Sequence, residues 1–259
     1  MRPLWTGTIG FGLVNIPVKL FSATQASELD FDMLDKKDLS NIRFKRVNEK
    51  TGKEVDYKSI VKGYKLNDNY VVLEDADFES ANAVKTKVIE ITDFVMEQEI
   101  DIMYFETPYY LAPEKSGVRA YALLREALVK TGKVGVATFV MRNKENLAVV
   151  KVSGEALILT KMRFAEEVRG IEELALPPKS SVKPAELKMA ISLVNQLSGK
   201  FTISKYKDHY TAQLLKLIKA KAKGGKTKSS APLKIVHSKA KDLMAQLTES
   251  LNTKRKKAS

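Results

Sequence analysis

Between Lys133 and Met162 the chain reads KVGVATFVM, then RNKENLAVVKVS, then GEALILTKM, three apolar runs separated by short polar turns. Val, Ile, Thr and Phe crowd these runs, and such side chains suit a pleated, half-buried surface. Strands joined so closely must pair antiparallel, because a parallel partner needs a crossover of about a dozen residues or more. The stretch therefore reads as a β-meander, with turns predicted at Asn143–Asn146 and Ser153-Gly154. No other feature limits the fold as much.

The remainder of the first 165 residues agrees with it. Leu4–Phe21 mixes β-branched and aromatic residues with Gly7, Gly10 and Gly12, and Ile9–Lys19 has strand composition. Pro17 has no N–H to give to a ladder, which predicts an edge or a strand end. Asn41–Leu66 reads as an extended hairpin turning at Thr51-Gly52, with a further strand after it. NYVVLE then opens onto EDADFESA, a short acidic helix, and Lys87–Pro113 holds two or three strands. GVRAYALLREALVKTG is the best helix of this part, with Tyr121, Leu124 and Leu128 on one face and Gly132 placed to cap it.

After Pro177-Pro178 helices take over. Pro184 opens one that places Leu187, Ile191, Val194 and Leu197 on one face before Gly199 stops it. A second, from His209 to about residue 223, carries Tyr210, Leu214, Leu217 and Ile218. GGKTKSSAP reads as a flexible linker. Val236, Ala240, Leu243, Leu247 and Leu251 then recur at helical spacing, and the closing KRKKAS is expected to be disordered.

Composition excludes several chemistries. With no cysteine there is no disulfide, no thiolate nucleophile and no cysteine-based zinc site. Two histidines, His209 and His237, leave little room for a histidine-centred triad or metal site. No apolar run approaches the roughly 18 to 20 residues of a membrane span, and the N-terminus is too polar for a signal peptide. A cytoplasmic protein is expected.

Of 44 basic and 31 acidic residues, 15 and 3 fall in 201–259, which leaves 29 and 28 in the first 200. The basic bulk belongs to the tail. Any cationic site in the first 200 residues must come from arrangement instead.

Three motifs invite a catalytic or nucleotide-binding reading. Gly10 and Gly12 make part of a dinucleotide fingerprint, but the third glycine is Asn15 and a strand follows where a helix is required. The glycines are better explained as permitting tight strand curvature. Ala220, Gly225, Lys226 and Thr227 satisfy a loose P-loop pattern, yet a lysine-rich helix precedes it where a buried strand is needed. Glu97, Glu99 and Asp101 alternate along an apparent strand, as the metal-binding carboxylates of a nuclease would. A solvated strand face explains them as well.

The opening stretch LWTGTIGFGLVNIPVKLFSAT resembles the N-terminal signature of prokaryotic Ku. The resemblance continues through KEVDYKSIVKGYKLNDNYVVLEDADFESA, YFETPYYLAPEKSGVRAYALLREAL and VGVATFVMRNKENLAVVKVSGEALIL, over about residues 1–200. It implies a mixed, mainly β fold: a Ku-type β-barrel core with a helical C-terminal arm, two subunits forming a ring. Residues 1–200 would form the core, with 41–66 as part of a bridge over DNA. Residues 201–223 would be the helical arm, and 224–259 a flexible linker with a basic tail. It further implies a non-catalytic homodimer, without cofactor or metal, that threads onto double-stranded DNA ends and recruits an ATP-dependent repair ligase in non-homologous end joining. The protein would act in the cytoplasm, associated with the nucleoid.

On charge and placement, the expected phosphate contacts are Arg43, Lys45, Arg46, Lys53, Lys58 and Lys62 on the hairpin segment. Arg142 and Lys144 at a barrel turn join them, with Lys151. The tail would add Lys221, Lys223, Lys226, Lys228, Lys254, Arg255, Lys256 and Lys257. Leu243, Leu247 and Leu251 are the expected docking stripe for the ligase. Two rival functions fit the same composition. One is a general single-strand or RNA-binding barrel that stacks bases on exposed aromatics, although most aromatics lie in apolar strand runs and read as core. The other is a metal-dependent nuclease built on Glu97, Glu99 and Asp101.

Overall fold

The glycine-rich opening forms two strands, β1 (Trp5–Phe11) and β2 (Val14–Ser22), joined by a tight turn at Gly12-Leu13. In this computed structural model, which describes residues 1–81, 87–142, 144–178, 182–224 and 243–255, the chain divides into units 1–170 and 171–259. Gly12 takes φ +55°, which an L side chain rarely adopts. Gly7 serves a different need. A Cβ there would lie 2.2 Å from both the Lys87 carbonyl oxygen and the Trp5 ring. The glycines thus let strands turn and approach, and no helix follows to hold a phosphate.

The other strands of the first unit are β3 (Lys62–Leu66), β4 (Asn69–Leu73), β5 (Val88–Met96), β6 (Phe105–Pro113), β7 (Lys133–Met141), β8 (Lys144–Ser153) and β9 (Ala156–Met162). Of these strands β5 to β9 join β1 and β2 in a closed barrel, in the order β1-β2-β6-β9-β8-β7-β5. Closure comes from β1 and β5, which pair parallel through Thr8↔Val88, Ile9↔Ile89 and Gly10↔Glu90. All the other barrel pairings are antiparallel. The strands β3 and β4 form a separate two-stranded sheet.

Alternation decides what fills the barrel. Ile9, Ile16, Val18, Leu20, Ile89, Leu157 and Leu159 are wholly buried in one cluster with Phe139, Ala148 and Val150. On the opposite face, Val149, Val134 and Met162 form a second cluster, covered by Val95, Ile100, Tyr104 and Phe105. A helix, α2 (Val118–Thr131), adds Tyr121, Leu124 and Leu128 to the first cluster, the predicted face. Gly132 at φ +66° ends it, donating its N–H to Leu128 O at 3.0 Å. The Tyr121 hydroxyl donates to Leu111 O at 2.7 Å and accepts from Leu157 N at 2.6 Å, tying α2 to the β6–β9 ladder. Burial pushes the Tyr121 phenol above its ordinary pKa.

Three expectations are corrected. The β7–β8 turn does not span Asn143–Asn146: β8 already begins at Lys144, and Asn146 is buried within it opposite Phe139. Arg142 at φ +53° supplies the left-handed turn position instead. Pro17 lies inside β2, which has barrel neighbours on both sides. It is tolerated because the β6 ladder begins only at Val18, so no β6 acceptor faces its missing N–H.

The predicted hairpin at 41–66 is not a regular ladder. Across the predicted turn the two arms meet only in an isolated bridge between Val47 and Glu54, while Asn41 bridges back to Leu34 and the real hairpin is β3–β4, turning at Asn67-Asp68 with Asn67 at φ +53°. The acidic helix after it, α1 (Asp75–Ala81), is as expected.

The second unit contains α3 (Pro184–Leu197), α4 (His209–Ala222) and α5 (Leu243–Arg255). Proline stands at the first turn of α3, and Asp208 caps α4 by accepting from Thr211 N at 3.0 Å. Hydrogen bonds from the Thr211 hydroxyl and N–H hold the Asp208 carboxyl below its usual range. Helix α5 lies against α3. Met189, Ala190 and Leu193 of α3 are half-buried, whereas Leu187, Ile191, Val194 and Leu197 are exposed. Among the described residues, no helix is long and apolar enough to cross a membrane.

Candidate nucleic-acid interface

The connection from β2 to β5 carries most of the predicted contact residues of the first unit. Its middle is held by local polar geometry, with no buried side chain in 41–73. Asn48 accepts from Lys50 N at 3.0 Å and Thr51 N at 3.1 Å, and its own N–H donates to Lys53 O at 2.9 Å. Gly52 at φ +64° completes this turn, one step wider than Thr51-Gly52 alone. Val55 N donates to Arg46 O at 2.9 Å, and Asp56 accepts from Lys58 N at 3.0 Å to begin a short 3-10 turn, Tyr57–Ser59.

Charge is segregated along this connection. Residues 41–66 hold eight basic and three acidic side chains, which leaves 21 basic and 25 acidic in the rest of the first 200. The cationic stretch is therefore net +5 within a body that is net −4. Acidic runs flank it at 28–38 and 74–79. A polyanion would find its positive field in the middle of the connection.

Within the stretch the cations differ in freedom. Arg43, Lys53 and Lys58 are exposed, with no ion-pair or ring partner among the described residues. Lys45 pairs with Glu54 at 2.6 Å, but both are exposed and such a pair stabilises little. The Arg46 guanidinium lies over the Tyr57 ring at 5.1 Å, and Lys62 lies over Phe78 at 4.4 Å. Exposed Lys65, opposite Tyr70 in the β3–β4 register, belongs to the same basic surface, although it was not among the expected contacts. Its signal was available: it is one more lysine in the same basic run as Lys58 and Lys62.

The remaining candidates are dispersed. Arg142 and Lys144 flank the β7–β8 turn and are exposed. Lys151 is ion-paired with Glu97 and lies 5.9 Å from the Phe105 ring centre, so it is committed within the barrel unit. Lys221 closes α4 and Lys223 caps it, both exposed. Lys254 and Arg255 lie in α5, while Lys226, Lys228, Lys256 and Lys257 fall outside the described residues, as does the GGKTKSSAP linker after Gly224. Of the expected docking stripe, Leu243 opens α5 and Leu247 and Leu251 are half-buried in it.

The carboxylate trio does not share a strand face. Glu97–Glu99 is a 3-10 turn in which Glu99 accepts from Met96 N at 2.9 Å, and Asp101 caps the next turn by accepting from Met103 N at 2.9 Å. With Glu97 paired to Lys151 from a distant strand, all three carboxylates have partners. Among the described residues no group of three or more His, Asp or Glu side chains could hold a metal ion. Ala220 of the P-loop pattern lies in α4, so a helix stands where that chemistry needs a strand and loop.

A closed barrel is thus interrupted by a long connection whose basic middle has no buried side chain. The profile of the Ku70/Ku80 beta-barrel domain matches residues 10–189. A curated relative from Opitutus terrae, named non-homologous end joining protein Ku, is 44% identical over 255 residues, covering 97% of this chain and 92% of that one. Proteins of the same name from Coxiella burnetii (40% identical, covering 98% and 96%) and Bacillus subtilis (38%, covering 88% and 74%) are similar over comparable spans. The chain belongs to the Ku family.

Proposed function

We propose that this protein is a homodimeric binder of double-stranded DNA ends, which threads onto broken DNA and recruits an ATP-dependent repair ligase in non-homologous end joining. The observation that carries the reading is the segregation of charge, with a net +5 over residues 41–66 in a body that is otherwise net negative. Relatives at 38–44% identity are named for non-homologous end joining, which supports the same pathway here. The role is architectural: the family holds ends and catalyses nothing itself.

The cations would meet phosphates, which fix position on the duplex but carry no sequence information. Preference for ends would then be topological, because a closed ring loads only where a duplex terminates. Exposed apolar side chains support a second copy: Leu187, Ile191 and Val194 on α3 are 49%, 50% and 63% exposed, more than a lone chain should leave in water. The ligase would meet the basic tail and α5. The protein would act in the cytoplasm, on the nucleoid.

The test compares binding to a linear duplex, the same duplex with both ends blocked by bulky caps, and a relaxed closed circle. Loading on the open linear form alone is expected. Equal affinity for circles and linear fragments at physiological salt would overturn the reading.

A further inference from the structure

Exposed aromatics in the connection point to a second ligand at the same DNA end. Tyr57 and Tyr70 are 72% and 71% exposed, so each ring offers an open face to a ligand. Each ring is backed on one side. The Arg46 guanidinium lies over Tyr57 at 5.1 Å from the ring centre. The Tyr70 ring lies against Gly63, where a Cβ would come within 3.4 Å of Tyr70 Cδ1. A backed ring has lost much of its rotamer freedom already, so a planar partner meets a preset surface. Each also has a cation at hand: Arg46 and Lys58 beside Tyr57, and Lys65 directly opposite Tyr70.

We infer that Tyr57 and Tyr70 are stacking platforms for unpaired bases of a single-stranded overhang, with the adjacent cations holding its phosphates. Aromatic rings interleaved with basic groups are the means by which single strands are bound without sequence preference. The proposal rests on the reading that this segment meets DNA ends. A second copy's hairpin is the competing occupant of the same surface. It would bring Lys62 and Lys65 of β3 near the same lysines of another β3, and crowding like charges between strands is unfavourable.

The test uses three duplexes: blunt, with a short thymidine overhang, and with an abasic overhang of equal length. Wild type should bind the thymidine overhang more tightly than the abasic one, since the two differ only in bases. Tyr57→Ala and Tyr70→Ala should each weaken thymidine-overhang binding by roughly fivefold to a hundredfold while leaving the blunt duplex unchanged. Tyr57→Phe and Tyr70→Phe should retain it, because the ring persists. Three results would overturn the inference: no distinction between thymidine and abasic overhangs, equal loss on the blunt duplex, or a lower mass in solution for the alanine variants. The last would make the rings a self-association surface. Failure of the duplex-end reading shows in a separate arm, as equal binding of blunt linear and closed circular DNA.

Discussion

The ribbons β7–β8 and β3–β4 are both antiparallel, with registers of similar quality, yet they live in opposite environments. In the first, Ala148, Val149 and Val150 are wholly buried, because β8 has covered faces on both sides. In the second, every residue of β3 is exposed and only Leu73 of β4 is even half-buried. An isolated two-stranded sheet is marginal in water. The barrel thus carries the fold, while the connection keeps cations and aromatic rings available at the cost of its own packing. Strand composition alone does not distinguish the two.

That division can be broken or sharpened by substitution. Phe139 is 2% exposed and meets Trp5 edge-on at 6.5 Å, so Phe139→Ala should cost about 3–5 kcal/mol in urea unfolding. The same truncation at Phe44, 81% exposed, should stay within about 0.5 kcal/mol. Comparable losses at both would mean that the connection is part of the cooperative core.

Gly7→Ala forces a methyl against the Lys87 carbonyl at the β1–β5 seam, and about 1–3 kcal/mol should be lost in the same assay. Tyr121→Phe leaves the Leu157 N–H without its partner and should cost about 1–3 kcal/mol. It also has a pH signature. Burial raises the folded-state phenol pKa, so stability from the neutral hydroxyl is intact below 10.0 and is lost as pH rises above it. The phenylalanine variant should lack that alkaline decline. Lys151→Ala removes only a partly exposed pair with Glu97 and should cost about 0–1 kcal/mol.

Much of the barrel was legible because its signals are local. The meander 133–162, the α2 face of Tyr121, Leu124 and Leu128, the Gly132 cap and the Pro184 helix start are all set by residues within a few positions of one another. Closure was not legible. The parallel β1–β5 pairing joins residues about 80 positions apart, and its marker, Gly7, explains itself only once Lys87 stands beside it. Glu97, Glu99 and Asp101 misled because carboxylates at every second position suit a strand and two successive turns alike; Glu99 and Asp101 bond locally to Met96 and Met103, and Glu97 pairs with Lys151. Most aromatics read as core from their apolar strand runs, and the exposure of Tyr57, Tyr64 and Tyr70 is not legible there, since strand-forming residues look the same whether or not anything covers them. The basic residues of that stretch were legible from charge. Their commitments, such as Lys45 to Glu54, depend on the Val47–Glu54 bridge, which no periodicity reveals.

The central claim is that residues 41–66 hold DNA while the barrel holds the fold. The most direct measurement is the salt dependence of binding to a linear blunt duplex for wild type and for the combined variant Arg43→Ala, Arg46→Ala, Lys53→Ala. Each phosphate contact removed should lower the log–log slope by about 0.9, so a homodimer that loses three cations per subunit should be shallower by roughly 5, with an unchanged melting temperature. An unchanged slope in a variant that melts like wild type would place the DNA contacts elsewhere and contradict the account.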